Sequence, residues 1–242
     1  MSDNTPVPQQ EPQTPAVQNA HIPEGYGGNV DPKDLILPRI EMTQALSPIV
    51  VSGIKKSGEL LNHITKEALA SNVFIPVKLE KNFIKWRPRT EGGGVVYQTT
   101  DPADPRVIRD SEWIDNKRPT CTAYLNFICI VDKEPLPLIL SFSGSNYQTG
   151  RKLFTMTQMG SPDGVSVPDI YNAKYKIGTL LKTNKYGSFY IYTVDRLGPT
   201  TEDERTKAKK VCQLLYGNNF TAQKPDTYSD EQVAGASDNN EF

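Results

Sequence analysis

Histidine is almost missing from this 242-residue chain: His21 and His63 are the whole supply. A zinc site needs more nitrogen and sulfur ligands than that, and His63 stands in GELLNHITKE without ligand spacing. Cysteine is scarce as well. Cys121, Cys129 and Cys212 are odd in number and form no CxxC pair, so no disulfide framework is expected. Cys121 and Cys129 lie eight apart in a strand-like run and share one face, where thiols pack as small apolar groups. There is no P-loop, no HExxH and no GxSxG. No apolar run is long enough to span a bilayer and no signal-peptide pattern is present, so a soluble cytoplasmic protein without membrane contact is expected. No cofactor, metal or catalytic residue is expected.

Charge is present but segregated. The total is −1, yet residues 1–34 sum to −4 and residues 225–242 to −5, which leaves +8 on residues 35–224. A basic body between acidic ends suits a polyanionic partner, for which the ends compete. The ends are also poor in apolar residues. Residues 1–34 read as a disordered Pro/Gln-rich arm and 221–242 as a disordered acidic tail ending in Phe, on either side of a folded domain at 35–220.

Within that domain the periodicity is mostly two. An extended edge segment interrupted by Pro38 and Pro48 comes first. Asn72–Leu79 follows as a strand with Val73, Ile75, Val77 and Leu79 on one face, and Asp101–Pro119 reads as a long charged loop. Thr120–Val131 is the strongest strand: Cys121 through Val131 make one apolar face, and Thr122, Tyr124 and Asn126 face away. Leu136–Phe142 is its hairpin partner. Ser143–Met159 reads as a helix burying Tyr147, Leu153, Phe154 and Met156. Lys174–Val194 forms a hairpin turning at Lys182–Lys185. Thr201–Glu204 is a capping box that opens a helix with an Ala208, Val211, Cys212, Leu215 stripe.

Cations and aromatics recur together in this body. Lys85, Arg87 and Arg89 alternate with Trp86 next to Gly92–Gly94. Arg151 and Lys152 project from the helix. The hairpin crowds Lys174, Lys176, Lys182 and Lys185 with Tyr175, Tyr186, Tyr190 and Tyr192. Lysine neutralises phosphate and a flat ring stacks on a base. The same residues also suit cross-strand pairs, a solvated edge, and a core position for Trp86. The alternation in the second hairpin strand puts Phe189, Ile191 and Thr193 on one face and Tyr186, Tyr190, Tyr192 and Val194 on the other.

The layout resembles the single-stranded DNA-binding proteins of bacteriophages: short strands with helices between and after them, a basic aromatic body, and an acidic tail running Asp238 to Phe242. That resemblance implies a mainly β fold with two or three helices, an OB-fold-like Greek-key barrel. It implies coating of single-stranded DNA during phage replication or recombination, in the host cytoplasm, without strong sequence preference and without enzymatic activity. Bases are then expected on Trp86, Tyr124, Tyr186, Tyr190 and Tyr192, with the backbone tracked by the cations named above. The tail, through Asp230, Glu231, Asp238, Glu241 and Phe242, is expected to dock replication or recombination proteins. Two other readings stay open: a recombination accessory enzyme (an annealase, or a nuclease using the carboxylates of 101–115), and a virion structural protein.

Overall fold

A computed structural model describes residues 35–114, 118–159, 167–185 and 187–217. The tails, and with them the expected disorder, lie outside these residues. The fold is mainly β, with eight strands in two sheets and four helices among the described residues. β1 (Ile40–Met42) and β2 (Leu60–Asn62) form a small ladder, with helix α1 (Pro48–Val51) between them. The large sheet holds β3 (Val73–Trp86), β4 (Val95–Thr99), β5 (Cys121–Val131), β6 (Leu138–Phe142), β7 (Ala173–Asn184) and β8 (Gly187–Pro199). Its order is β6-β5-β3-β7-β8, every pairing antiparallel, with β4 beside the far end of β3. Helices α2 (Pro105–Asp110), α3 (Tyr147–Thr157) and α4 (Glu202–Gly217) complete it.

The expected barrel does not close: β6 and β8 end the ladder and no strand pairing joins them. The sheet nevertheless coils until these two edges meet through side chains. Phe142 of β6 and Tyr192 of β8 pack edge to face at 5.7 Å, and Phe127 meets Phe142 in the same way at 5.8 Å. This inner core adds Met42, Phe74, Leu125, Leu140, Leu153, Tyr175 and Val194. The outer face of the sheet carries a second core, Ile75, Val77, Ile128 and Ile139, covered by Ala208 and Leu215 of α4. β5 is therefore buried on both faces, and Tyr124, expected to face away as a platform, is 4% exposed.

Three expected features shift for physical reasons. β3 runs unbroken to Trp86, and a bulge at Pro76–Lys78 reverses its alternation, so Ile75 and Val77 face outward while Leu79 packs on the inner core. In the charged loop, Asp104 accepts from the Arg106 amide at 2.9 Å and starts α2, with Pro105 at its first turn. The hairpin turn lies further along than 182–185: Asn184 pairs with Gly187, so only two residues connect the strands. The α4 capping box forms as expected, Thr201 N donating to Glu204 at 2.7 Å and Glu204 N to Thr201 at 3.3 Å. Glu204 is held below the usual carboxylate range by that backbone bond and by Lys174. In α3, Phe154 is exposed rather than buried, whereas Gly150 lies flat on Phe142: a Cβ there would sit 2.6 Å from that ring's own Cβ.

The free edge of β8 is capped by side chains. Gln44 receives the Tyr190 amide at 2.8 Å and donates to its carbonyl at 3.0 Å. Asn146 receives the Tyr192 amide at 2.7 Å, while Thr149 and Lys152 donate to the carbonyls of Tyr192 and Val194. Four side chains thus occupy backbone groups that would otherwise recruit another strand. Tyr192 itself is 2% exposed, its hydroxyl donating to the Ile40 carbonyl at 3.2 Å. Tyr192→Ala should cost about 3–5 kcal/mol in chemical denaturation, as large aromatic truncations do in packed cores, whereas Phe189→Ala should cost less than half as much. Equal losses would contradict the inward assignment of the tyrosine face.

Candidate nucleic-acid interface

The expected site residues fall at two ends of the molecule. Val73 of β3 pairs with Lys176 of β7. From that rung β3 runs thirteen residues to Trp86, and β7 runs six residues the other way to Lys182. At about 3.3 Å per residue the two groups stand roughly 60 Å apart along the strands. Lys85, Trp86 and Arg87 therefore share no compact surface with Lys182 and Lys185.

At the Trp86 end the side chains are largely engaged with one another. Trp86 is half-buried and donates from Nε1 to the Tyr124 hydroxyl at 3.0 Å. Lys85 pairs with buried Asp110 at 3.0 Å, Arg109 bonds the same carboxylate at 2.9 Å, and the Tyr97 hydroxyl donates to it at 3.0 Å. These groups sit on a small core of Phe83, Tyr97, Val107 and Cys121. Arg109 above all, then Lys85 and Tyr97, hold Asp110 far below the usual carboxylate range, against the opposing effect of burial. Burial, with Cys121 and Asp110 adding to it, pushes the Tyr97 phenol well up. Of the expected platform, Tyr124 is buried and bonds to half-buried Trp86, and partly exposed Lys85 neutralises a buried carboxylate. Arg87 is exposed. The side chain of Arg89 and the acidic residue Asp115 lie outside the described set. Gly92, Gly93 and Gly94 all take positive φ, as a tight β3–β4 connection requires.

The opposite end is a projecting finger. Past Lys176, β7 has no neighbour in β3, and from Leu180 through Lys185 every described residue is exposed, as are Gly187 and Ser188. Lys176, Phe189, Ile191 and Thr193 share the face of the finger turned away from the inner core, together with Leu180 and Lys182. Tyr190, Tyr192 and Val194 share the inner face. The sequence alternation separates these faces correctly, but the aromatic face chosen for bases is the core-facing one. Tyr190 is half-buried against Gly58, where a Cβ would come within 2.5 Å of its ring. Tyr186 lies outside the described residues. Thr179 Oγ1 donates to the Gly58 carbonyl at 2.8 Å, bringing the loop that carries Lys55 and Lys56 alongside the finger. Nothing in the local sequence around Lys55 signals that approach, since it depends on contacts more than a hundred residues apart. No acidic residue interrupts the stretch from Ile177 to Val194.

Two other expected cations have structural partners. Lys174 pairs with Glu204 at 2.9 Å and ties β7 to α4, and Lys152 caps β8. Arg151 is exposed on α3. Asp230, Glu231, Asp238, Glu241 and Phe242 lie outside the described residues. No described helix is long and apolar enough to cross a membrane.

A family model described as Pam3 phage gp34-like protein matches residues 8–221. The chain belongs to this phage protein family. No curated protein and no solved structure matches it.

The Asp110 cluster makes a pH prediction. A carboxylate whose folded pKa is depressed contributes stability above its unfolded value of about 4 and loses that contribution as pH falls below it. Melts should therefore show a stability loss that begins as pH falls below about 5, continues below about pH 3 toward the depressed folded value, and is smaller in Asp110→Asn. That variant should also lose about 1–2 kcal/mol at neutral pH, from the weakened charge-assisted bonds. An unchanged acid limb would mean that other carboxylates dominate acid unfolding.

Proposed function

We propose that this phage-family protein binds single-stranded DNA during replication or recombination, non-catalytically and with little sequence preference. The observation that carries this reading is the finger: a projecting ribbon with exposed Lys182 and Lys185, no carboxylate from Ile177 to Val194, and half-buried Phe189 on the face turned away from the inner core, while exposed Lys176 at its base stands across from Asp195. A cationic ribbon with a half-exposed aromatic suits a flexible strand whose unpaired bases are free to stack, and a duplex offers no such faces. The segregated charge of the chain supports the same reading, with +8 on residues 35–224.

The test is a titration with a labelled oligonucleotide, single-stranded against duplex of equal length, over a series of salt concentrations. Single-stranded DNA should bind more tightly, with affinity falling as salt rises. Replacing Lys182 and Lys185 together by Ala should lower the salt slope by roughly 0.7 per lost phosphate contact, so about 1.4 if both touch the backbone. Replacing Phe189 by Ala should remove about 1–3 kcal/mol of stacking. Equal affinity for duplex, or an unaltered slope in the double lysine variant, overturns the finger as the interface.

The acidic tail enters the same reading as a competitor. Its −5 charge, tethered to a basic body, has a high effective concentration at the cationic surface. Removal of residues 225–242 should tighten binding to single-stranded DNA at low salt, with the gain shrinking as salt screens both interactions. An unchanged low-salt affinity removes this role. Docking of replication or recombination proteins by Asp230, Glu231, Asp238, Glu241 and Phe242 belongs to the same proposal: deleting Phe242 alone should abolish capture of the partner in a pull-down while leaving DNA binding nearly unchanged, and an intact pull-down removes the docking role.

A further inference from the structure

We propose that two copies of this chain join through the outer edge of β7, antiparallel, about a two-fold axis at Leu181. The interaction extends the β7–β8 ribbon into a four-stranded sheet and does not depend on the DNA reading.

The alternation of backbone groups along the finger fixes which ones are available. On β8, the groups of Tyr190, Tyr192 and Val194 turn away from β7, because Gln44, Asn146, Thr149 and Lys152 bond them. Their cross-strand partners are Leu181, Thr179 and Ile177. In an antiparallel pair, residues opposite each other turn their amides and carbonyls the same way, inward together or outward together. Ile177, Thr179, Leu181 and, two further on, Thr183 thus point their groups to the other edge. Ile177 uses its amide there, donating to the Asn72 carbonyl at 2.9 Å. Among the described residues, Thr179, Leu181 and Thr183 have no backbone partner on that edge.

The two edges of the ribbon are treated differently. That of β8 is capped side chain by side chain, while that of β7 has no proline and no bulge between Ile177 and Asn184, and Lys182 is the one charged guard in that stretch. It carries instead Leu180 and Leu181, each 50% exposed. Exposed apolar side chains and a set of open hydrogen-bonding groups coincide at one place, as strand addition requires.

A second copy fits this edge because the edge is self-complementary. With the axis at Leu181, Leu181 faces the partner's Leu181, Thr179 faces the partner's Thr183, and Leu180 faces the partner's Lys182. Threonine pairs and apolar pairs are favourable cross-strand neighbours, and no lysine stands directly opposite a lysine. Each of the three open residues then exchanges amide and carbonyl bonds with its opposite number. Lys182 and the partner's Lys182 are diagonal neighbours at about 7–8 Å, close to the screening length at physiological salt. Association should therefore strengthen modestly as salt is added, opposite to the trend for an acidic peptide or a nucleic acid on the same edge.

Sedimentation velocity on the full chain at rising micromolar concentrations measures the association, and cysteine cross-linking measures the register. In a Cys212→Ser background, which leaves two buried thiols, Leu181→Cys should form a covalent dimer under mild oxidation. The paired Cα atoms would lie about 5.5 Å apart, inside the disulfide range. Thr183→Cys should not, since its partner copy lies about 13 Å away along the strand. Leu181→Lys, which sets two lysines face to face, should weaken dimerisation at least about tenfold. Leu181→Pro, which removes an outward amide without touching the β7–β8 ladder, should do the same, with circular dichroism unchanged. A wild-type chain that stays monomeric at high salt overturns the proposal. So does a dimer indifferent to both the Leu181→Lys and the Leu181→Pro substitutions, or one that cross-links in the Thr183→Cys variant and not in the Leu181→Cys variant. Association that weakens with salt assigns the edge to an acidic partner and likewise overturns it.

Discussion

Everything inside the large sheet depends on how its two outermost strands meet without pairing. Coiling brings Phe142 and Tyr192 into contact across the inner core, and the strands stop short of a shared ladder. The backbone of β8 then needs partners that no strand supplies, because buried amides left open cost as much as a lost hydrogen bond. Gln44 and Asn146 supply them with side-chain amides, each able both to give and to accept. β1 and α3 are positioned by that requirement as much as by their apolar faces. The result is a half-closed barrel whose seam is sewn with side chains.

The sequence disclosed the local rules well. The alternation of β5, the two faces of β8, the stripe and capping box of α4 and the hairpin itself follow from neighbours within a few residues. What it did not disclose is which face of each strand meets the core. Period-two alternation separates two sets of side chains but does not say which set is inside when both contain rings. Tyr190 and Tyr192 carry hydroxyls and suit either side, and Ile191 and Phe189 lie on the other face. The outcome is decided by Ile40, Asn146 and Gly58, far away in the chain. The reversal in β3 has the same origin, since one bulge at Pro76 moves Leu79 to the opposite core.

Charge was legible in sum and misleading in detail. The basic body is real in the sequence, yet Lys85, Lys152 and Lys174 have structural partners in Asp110, the Val194 carbonyl and Glu204. A lysine within a cationic cluster says little until its opposite charge is located, and those partners lie 25 to 42 residues away. The surroundings of the finger differ: β7 carries no acidic residue and past Lys176 has no neighbour in β3.

Gly150 has a reach beyond its own position. Its missing side chain lets α3 lie directly against Phe142. The same helix and the turn before it carry Asn146, Thr149 and Lys152, whose bonds to β8 span 2.7 to 3.2 Å. A methyl group at position 150 would lift the helix by about an ångström, and hydrogen bonds of this kind tolerate little more than half of that. The glycine thus works as a spacer gauge: the gap it sets between helix and sheet is also the gap at which the seam holds. Loosening it would free the β8 edge along three consecutive contacts at once, and a strand that is now shut would become as open to another chain as β7 is.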